Sequence, residues 1–308
     1  MFILFSSFVK GLPGREAPGF KFFFLQDRNP LARRRKRRHV GAPNEAMWRL
    51  HWRLIQWLRS PGLNRGRRYS TGCGHLDSPR RNILRHRGNR FLYLLDIKDA
   101  YPNVNLDKLA KILYELAIHL VPEDKIKLFL KLFCFSPNGG LVVGGPASPE
   151  LFNLYAESLL DHPLGVFCHK HGITFSRYLD DLTFSCSTPI GKRKRLEIRK
   201  IILKAGFNIN HSKAKVVDLR KGPVVITGIG LNLNGKLFVP GHYRRRIDAV
   251  FHKAAKNPKD LKYLAIGMHG LFRSVIPRGE LNSRSELRTI NRFRSFLSAN
   301  RNKEALTR

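Results

Sequence analysis

The sequence predicts an α+β fold with an antiparallel sheet packed on helices. Three observations point to it. In Tyr178-Leu179-Asp180-Asp181-Leu182-Thr183-Phe184-Ser185, apolar residues flank two acids and then alternate with polar ones. That pattern reads as strand, tight turn and strand over residues 173–186. Phe91-Leu92-Tyr93-Leu94-Leu95 is a short apolar run of buried-strand character. Around these two segments, helical periodicity predicts helices over 44–59, 105–120, 122–135, 149–162 and 192–205, with paired strands over 224–240 and a helical pattern from 243 onward. The helix at 44–59 carries Trp48, Trp52 and Trp57, which are assigned mostly to the core, with base stacking as the alternative. In the last segment Leu287, Ile290, Phe293 and Leu297 form a core stripe, and Arg284, Arg288, Arg292 and Arg294 lie off it, placed to follow a phosphate backbone.

Adjacent carboxylates repel each other and lose solvation, so Asp180-Asp181 at a turn calls for a compensating cation, and hard Mg²⁺ prefers carboxylate oxygen. A solvated acidic turn is the alternative. The apolar run at 91–95 ends in Asp96-Ile97-Lys98-Asp99-Ala100-Tyr101-Pro102. An unpartnered buried carboxylate at a strand end is costly, whereas a carboxylate at the mouth of a sheet can ligate a metal. Asp96, Asp180 and Asp181 together supply the donors for a two-metal site. Asp99 is a secondary candidate, placed to cap a helix starting near Pro102.

With these residues in view, the chain resembles a reverse transcriptase. Asp96 followed by Tyr101 is similar to the first palm motif of that family, and Tyr178-Leu179-Asp180-Asp181 to its Tyr-x-Asp-Asp motif. Between them, Gly144-Gly145-Pro146-Ala147-Ser148-Pro149-Glu150-Leu151-Phe152-Asn153 is similar to the Gly-x-Pro-x-Ser-Pro-x-Leu-x-Asn segment. The finer resemblance is to bacterial retron-type enzymes: Asn82 and His86 match an Asn-Ala-x-x-His element with Ile83 for alanine, and Ile226-Thr227-Gly228 a Val-Thr-Gly element. Gly206-Phe207 with Asn210 and Lys213 resembles the motif after the acidic hairpin, and Arg38 with Ala42-Pro43-Asn44 the first fingers motif. Three positions depart from the pattern: Val143 replaces a frequent Gln, Cys73 a Phe, and Pro79 an aliphatic residue.

The resemblance implies a right-hand polymerase. Its segments are an irregular basic extension over 1–36, fingers over 37–90, a palm over 91–240 with inserted fingers helices, and a small helical thumb over 241–308. It implies RNA-directed DNA synthesis, with two Mg²⁺ (or Mn²⁺) held by Asp96, Asp180 and Asp181. Tyr101 would exclude the 2′-hydroxyl of an incoming nucleotide. Gly144 and Gly145 would let backbone approach nucleotide or template, and Lys213 would meet a phosphate. Thr227 and Gly228 would grip the primer end, and Asn82, His86, Arg38, Arg288 and Arg292 would contact RNA. The implied partners are a structured non-coding RNA serving as template and primer, the RNA–DNA hybrid, dNTPs and an effector protein in phage defence. The alternatives are another bacterial reverse transcriptase (defence-associated, diversity-generating or intron-type) and a catalytically inactive basic RNA-binding protein.

Charge agrees with a polyanionic partner. The 308 residues carry a formal net charge of +35. Residues 1–90 hold 21 Lys/Arg against 4 acids and residues 241–308 hold 16 against 5, so the charge lies at the two ends. Arg33-Arg34-Arg35-Lys36-Arg37-Arg38 is its densest block. The four cysteines form no Cys-x-x-Cys pair, which argues against zinc and for free thiols in a cytoplasmic protein. No apolar run reaches the roughly 18 residues of a membrane span, and Met1-Phe2-Ile3-Leu4-Phe5 has no preceding charge or cleavage site that would mark a signal peptide.

Overall fold

The computed structural model describes residues 16–26, 37–60, 68–74, 77–117, 121–256, 258–276 and 283–306. His75 and Leu76 of the fingers segment, Arg33 to Lys36 of the basic block and the apolar Met1–Phe5 lie outside them. In chain order the elements are β1 (Phe20–Gln26), β2 (Arg37–Pro43), α1 (Glu45–Leu58), α2 (Pro79–Leu84), β3 (Phe91–Lys98), α3 (Leu106–Leu116), α4 (Glu123–Phe133) and α5 (Ser148–Ala156). A π-helical turn (Glu157–Asp161) leads into α6 (His162–Lys170), followed by β4 (Thr174–Tyr178), β5 (Asp181–Cys186), α7 (Lys192–Lys204), β6 (Asn208–Ile209) and β7 (Lys215–Asp218). The remainder is β8 (Val224–Ile226), β9 (Ile229–Leu231), β10 (Leu237–Phe238), α8 (Gly241–Lys256), α9 (Pro258–Val275) and α10 (Arg284–Leu306). The described residues fall into two compact units, one within Met1–Asp77 and Tyr93–Val216, the other within Ser78–Leu92 and Val217–Arg308.

In the larger unit the strand order is β4-β5-β3-β6, with β4 and β5 antiparallel and Tyr178 opposite Asp181. Tyr93, Leu95 and Ile97 of β3 and Phe184 of β5 pack with Leu151, Phe152 and Tyr155 of α5, Ile198 of α7 and Phe207 in one core. The chain continues through a π turn into α6 where the sequence suggests one helix ending at 162. The first helix after β3 starts at Leu106, later than Pro102, because Asn105 supplies the cap, accepting from the Lys108 N–H at 2.9 Å. Asp99 instead sits in a turn at φ +48°.

The segment 1–36, expected to be irregular, contains β1. It pairs antiparallel with β2 along its whole length, Phe20 opposite Pro43 and Gln26 opposite Arg37. Burial does not drive this ribbon, since most of β1 is exposed, and a periodicity reading therefore misses it. Cross-strand rings and cations supply the contacts. Phe22 stacks on His39 at 5.1 Å, and the Arg37 guanidinium lies 4.8 Å from the Phe24 ring centre.

The tryptophans also depart from expectation. In α1, capped by Asn44 accepting from the Met47 N–H at 2.9 Å, the buried face is Ala46, Met47, Leu50, His51, Leu54 and Ile55. Trp48 and Trp52 stand on the other face, 48% and 45% exposed and stacked at 5.7 Å. Only Trp57 packs against the core.

In the smaller unit β8, β9 and β10 form an antiparallel sheet in the order β10-β9-β8. Pro79, unusual for the resemblance, opens α2 beside its cap Ser78, where a missing N–H costs nothing. Phe251 of α8 and Phe293 and Phe296 of α10 are buried. The buried stripe of α10 runs through Glu286, Thr289, Ile290, Phe293 and Phe296, while Leu287 and Leu297, assigned to the core from spacing, are exposed. Among the described residues no helix is long and apolar enough to cross a membrane.

Two neighbouring glycines give a direct test of packing. Gly140 and Gly139 both have φ in the left-handed region, at +69° and +87°. A Cβ on Gly140 would lie 2.3 Å from the Pro102 carbonyl oxygen, whereas one on Gly139 meets nothing within 4 Å. Gly139→Ala is expected to cost about 1 kcal/mol of backbone strain and Gly140→Ala roughly 2 kcal/mol more. Denaturant unfolding of the two variants measures the difference, and equal costs would contradict the contact.

Candidate active site

The site is built where β3 meets the β4–β5 turn. The Ile97 N–H of β3 donates to the Asp180 carbonyl at 2.9 Å, and the Asn210 N–H to the Asp96 carbonyl at 2.8 Å. These bonds bring the strand end bearing Asp96 against the turn bearing Asp180 and Asp181, 84 positions further along the sequence. A cavity of about 590 Å³ opens there, lined among others by Arg37, Arg38, Asp96, Tyr101, Asp180 and Lys213. Asp181 begins β5 beside it.

Electrostatics marks the acids. Burial pushes Asp181 up to about 6, and the negative charges of Asp180 and Asp96 push the same way, against Lys213. Asp180 is raised too, by the protein packed around its carboxyl and then by Asp96, with its own backbone N–H, Lys213 and Arg38 opposing. The Lys213 ammonium meets Asp96 Oδ1 at 2.6 Å. These are hard oxygen donors, two of them held above the usual carboxylate range, with an ammonium already filling one cationic position. That chemistry fits a divalent ion. Among the described residues no three His, Cys, Asp or Glu side chains form a ready ligand set. The acids are electrostatic neighbours and not a closed shell.

Tyr101 is half-buried, its ring edge-on to Phe152 at 5.4 Å, and burial raises its hydroxyl pKa. Gly144 and Gly145 are explained by protein packing. At Gly144 (φ +98°) a Cβ would lie 2.7 Å from the Gly41 carbonyl, and at Gly145 it would lie 2.6 Å from Ser148 Oγ. Val143, in place of the expected Gln, lines the cavity and accepts from the Gly41 N–H at 2.8 Å.

The remaining expected site residues belong to the smaller unit. Thr227 and Gly228 form the two-residue turn between β8 and β9, both at positive φ (+47° and +84°). Such a turn suits a hairpin, but a β-branched residue there is strained. Asn82 and His86 were expected to contact RNA, yet both are fully buried. Burial, with the Arg85 charge, drives His86 down to about 3, so it is neutral and faces protein. Arg292 Nη1 pairs with Asp248 at 3.0 Å, an ion pair inside the unit, and Arg288 is exposed.

A reverse transcriptase (RNA-dependent DNA polymerase) family model matches residues 45–296, most of the chain. The chain belongs to the reverse transcriptase family. The chain is 28% identical over 204 residues to the retron Mx65 reverse transcriptase of Myxococcus xanthus, covering 62% of this chain and 47% of that one. It is 30% identical over 182 residues to the retron Ec83 reverse transcriptase of Escherichia coli, covering 56% and 57%. The chain thus spans about half the length of the curated relatives it matches. Among solved structures, apo telomerase from Candida tropicalis shares the fold at a TM-score of 0.51 and 13% identity, covering 96% of this chain and 65% of that one. The α+β architecture is accordingly the right-hand fold of reverse transcriptases.

Sequence reasoning missed three buried polar residues of the chain. His51 Nε2 donates to the Phe133 carbonyl at 2.7 Å while its Nδ1 accepts from the Ala147 N–H at 3.0 Å, holding the loop after Gly145. Arg177 and Asp161 pair beneath the acidic turn. A lone His on a helix carries no signal; Arg177, directly before Tyr178, was legible only as a charge inside a buried strand.

Because the folded chain holds the Asp181 proton up to about pH 6 and the unfolded chain releases it near pH 4, this contribution to stability is fully present below about pH 4 and lost as pH rises through 6. In the metal-free protein, Asp181→Asn is expected to raise the melting temperature at pH 7.5, with the gain vanishing by about pH 4. Thermal melts in chelator across that range check it, and a gain independent of pH would contradict the shift.

Proposed function

We propose that this chain is a retron-type RNA-directed DNA polymerase that copies a structured non-coding RNA into DNA by nucleotidyl transfer. The observation that carries the reading is the cavity in which Asp96 and Asp180, beside Asp181, face Lys213, Arg38 and Tyr101. Membership of the reverse transcriptase family and the likeness to retron enzymes support it. In this reading β1, β2 and α1 belong to the fingers, the four-stranded run β4-β5-β3-β6 to the palm, and α8 to α10 to the thumb.

Asp96 and Asp180 would hold two Mg²⁺ ions, or Mn²⁺, with Asp181 assisting. Bound there, the ions supply activation of the primer hydroxyl and neutralisation of the triphosphate. The chain's own groups do the rest. Lys213, more than half exposed while paired to Asp96, exchanges that carboxylate for a phosphate oxygen or gives a proton to the departing pyrophosphate. Arg37 and Arg38 add positive charge along the cavity wall. Tyr101, braced by Phe152, lies under the sugar and excludes a 2′-hydroxyl by bulk. The Thr227-Gly228 turn holds the primer end. The basic residues at both ends of the chain take up the RNA and RNA–DNA backbones without reading sequence. The retron reading extends to a cytoplasmic setting and to work with an effector protein against phage.

Primer extension on an RNA template with Mg²⁺ and dNTPs tests the reading. Asp180→Ala is expected to reduce synthesis by at least about a hundredfold, the scale of losing one charge-stabilising group; retained synthesis would remove the acids from the chemistry. Tyr101→Ala is expected to incorporate ribonucleotides alongside deoxyribonucleotides, and unchanged sugar discrimination would remove Tyr101 from that role.

A further inference from the structure

We propose that Arg177 is a positioning residue for the acidic turn: its buried guanidinium holds the Leu179 carbonyl and thereby sets the direction of Asp180 and Asp181. The kinetic part of this inference rests on the polymerase reading; the conformational part does not.

Arg177 has no solvent exposure, and its partner Asp161 has 1%. The pairing is bidentate, Nε to Oδ1 at 2.8 Å and Nη2 to Oδ2 at 2.7 Å. Nη1 donates twice more, to Asn153 Oδ1 at 2.8 Å and to the Leu179 carbonyl at 3.0 Å. The guanidinium also lies 5.3 Å from the Phe152 ring centre. One buried cation thus joins the π turn, α5 and the residue just before Asp180.

Leu179 needs such a hold. Its φ is +53°, a region that side-chain-bearing residues avoid and that persists at functional sites only when the surroundings impose it. Gly72 also packs closely on Leu179: a Cβ there would stand 3.1 Å from the Leu179 nitrogen and 3.2 Å from its Cγ. Gly72 is itself fixed, its carbonyl accepting from Asn153 Nδ2 at 2.7 Å. The Arg177 backbone is anchored as well: its N–H donates to the Tyr69 carbonyl at 3.0 Å, and its carbonyl accepts from the Thr71 N–H at 2.8 Å. Asp161 closes the π turn Glu157–Asp161, an irregularity that changes which helix face a residue presents and that recurs at functional sites.

Stability alone does not account for this arrangement. A buried ion pair replaced by apolar residues of similar volume is often as stable or more so. An apolar pair could fill the space, but it could not donate to the Leu179 carbonyl. A lysine could not span Asp161, Asn153 and Leu179 together, because only the planar fork presents donors in those directions.

The test uses Arg177→Met combined with Asp161→Leu, which leaves no charge buried alone, and separately Arg177→Lys. The double variant is expected to melt near the wild-type temperature and bind template RNA normally. Its kcat for nucleotide addition should fall about a hundredfold, the scale of a small misplacement of reacting groups. Amide exchange across 179–182, and at Ile97, whose N–H donates to the Asp180 carbonyl, should quicken by about tenfold while that of 198–203 in α7 is unchanged. Arg177→Lys should show the same changes to a smaller degree. Wild-type kcat and wild-type exchange in a folded double variant would overturn the proposal. If the double variant does not fold, the same result in Arg177→Lys would overturn it. Should the wild-type protein itself fail to extend a primer, the polymerase reading falls, while the exchange comparison still decides whether Arg177 holds the turn.

Discussion

Everything around the cavity answers one constraint: carboxylates gathered at one end of a sheet repel each other and are partly stripped of water. The hydrogen bond from Ile97 to the Asp180 carbonyl makes that gathering unavoidable, because pairing β3 beside the β4–β5 turn brings Asp96 next to Asp180 and Asp181. The upward pKa shifts of Asp180 and Asp181 follow from the lost solvation first and the repulsion second. Lys213 relieves part of it directly, and Arg38 acts on Asp180 from a distance. A fold selected only for stability would not assemble these charges. Their assembly agrees with the chemistry the family performs on phosphates.

The second layer of the site is buried and hydrogen-bonded throughout. His51 bonds two backbone groups through its two ring nitrogens, and Ser148 Oγ donates to the Val142 carbonyl at 2.6 Å. The Arg177, Asp161 and Asn153 network lies beneath the turn. These groups are buried and satisfied, so each adds directional restraint without leaving an uncompensated dipole. The ribbon β1–β2 extends the same logic outward. Gly41 donates to Val143, which ties the basic strand to the loop bearing Gly144.

Much of the fold was legible because it is local. The acidic hairpin, the buried strand ending in Asp96 and the helices α1, α3, α4 and α7 follow from periodicity and turn chemistry, and their bounds shift mainly where caps such as Asn105 decide them. The strand β1 was not legible, because its stabilising contacts are rings and cations of a partner strand and not a buried face. Trp48 and Trp52 were misassigned because composition alone does not say which face of an amphipathic helix meets the core. Leu297 lost its core place to Phe296 for the same reason: one position rotates a helix by about 100 degrees. Asn82 and His86 matched a motif by type and spacing, yet spacing carries no information on exposure.

The sequence by itself determined the residue types, the order of the three acidic and glycine-rich motifs, and the excess positive charge at both ends of the chain. It also determined the short-range elements, since these depend on neighbours a few positions away. The tertiary structure alone decided that Asp96 and Asp180 share a cavity with Tyr101, Arg38 and Lys213, and that Gly144 packs against Gly41. It alone decided that a buried arginine backs the acidic turn. Those outcomes depend on strand pairing and side-chain burial between residues tens of positions apart, and such contacts exist only once the chain has closed on itself.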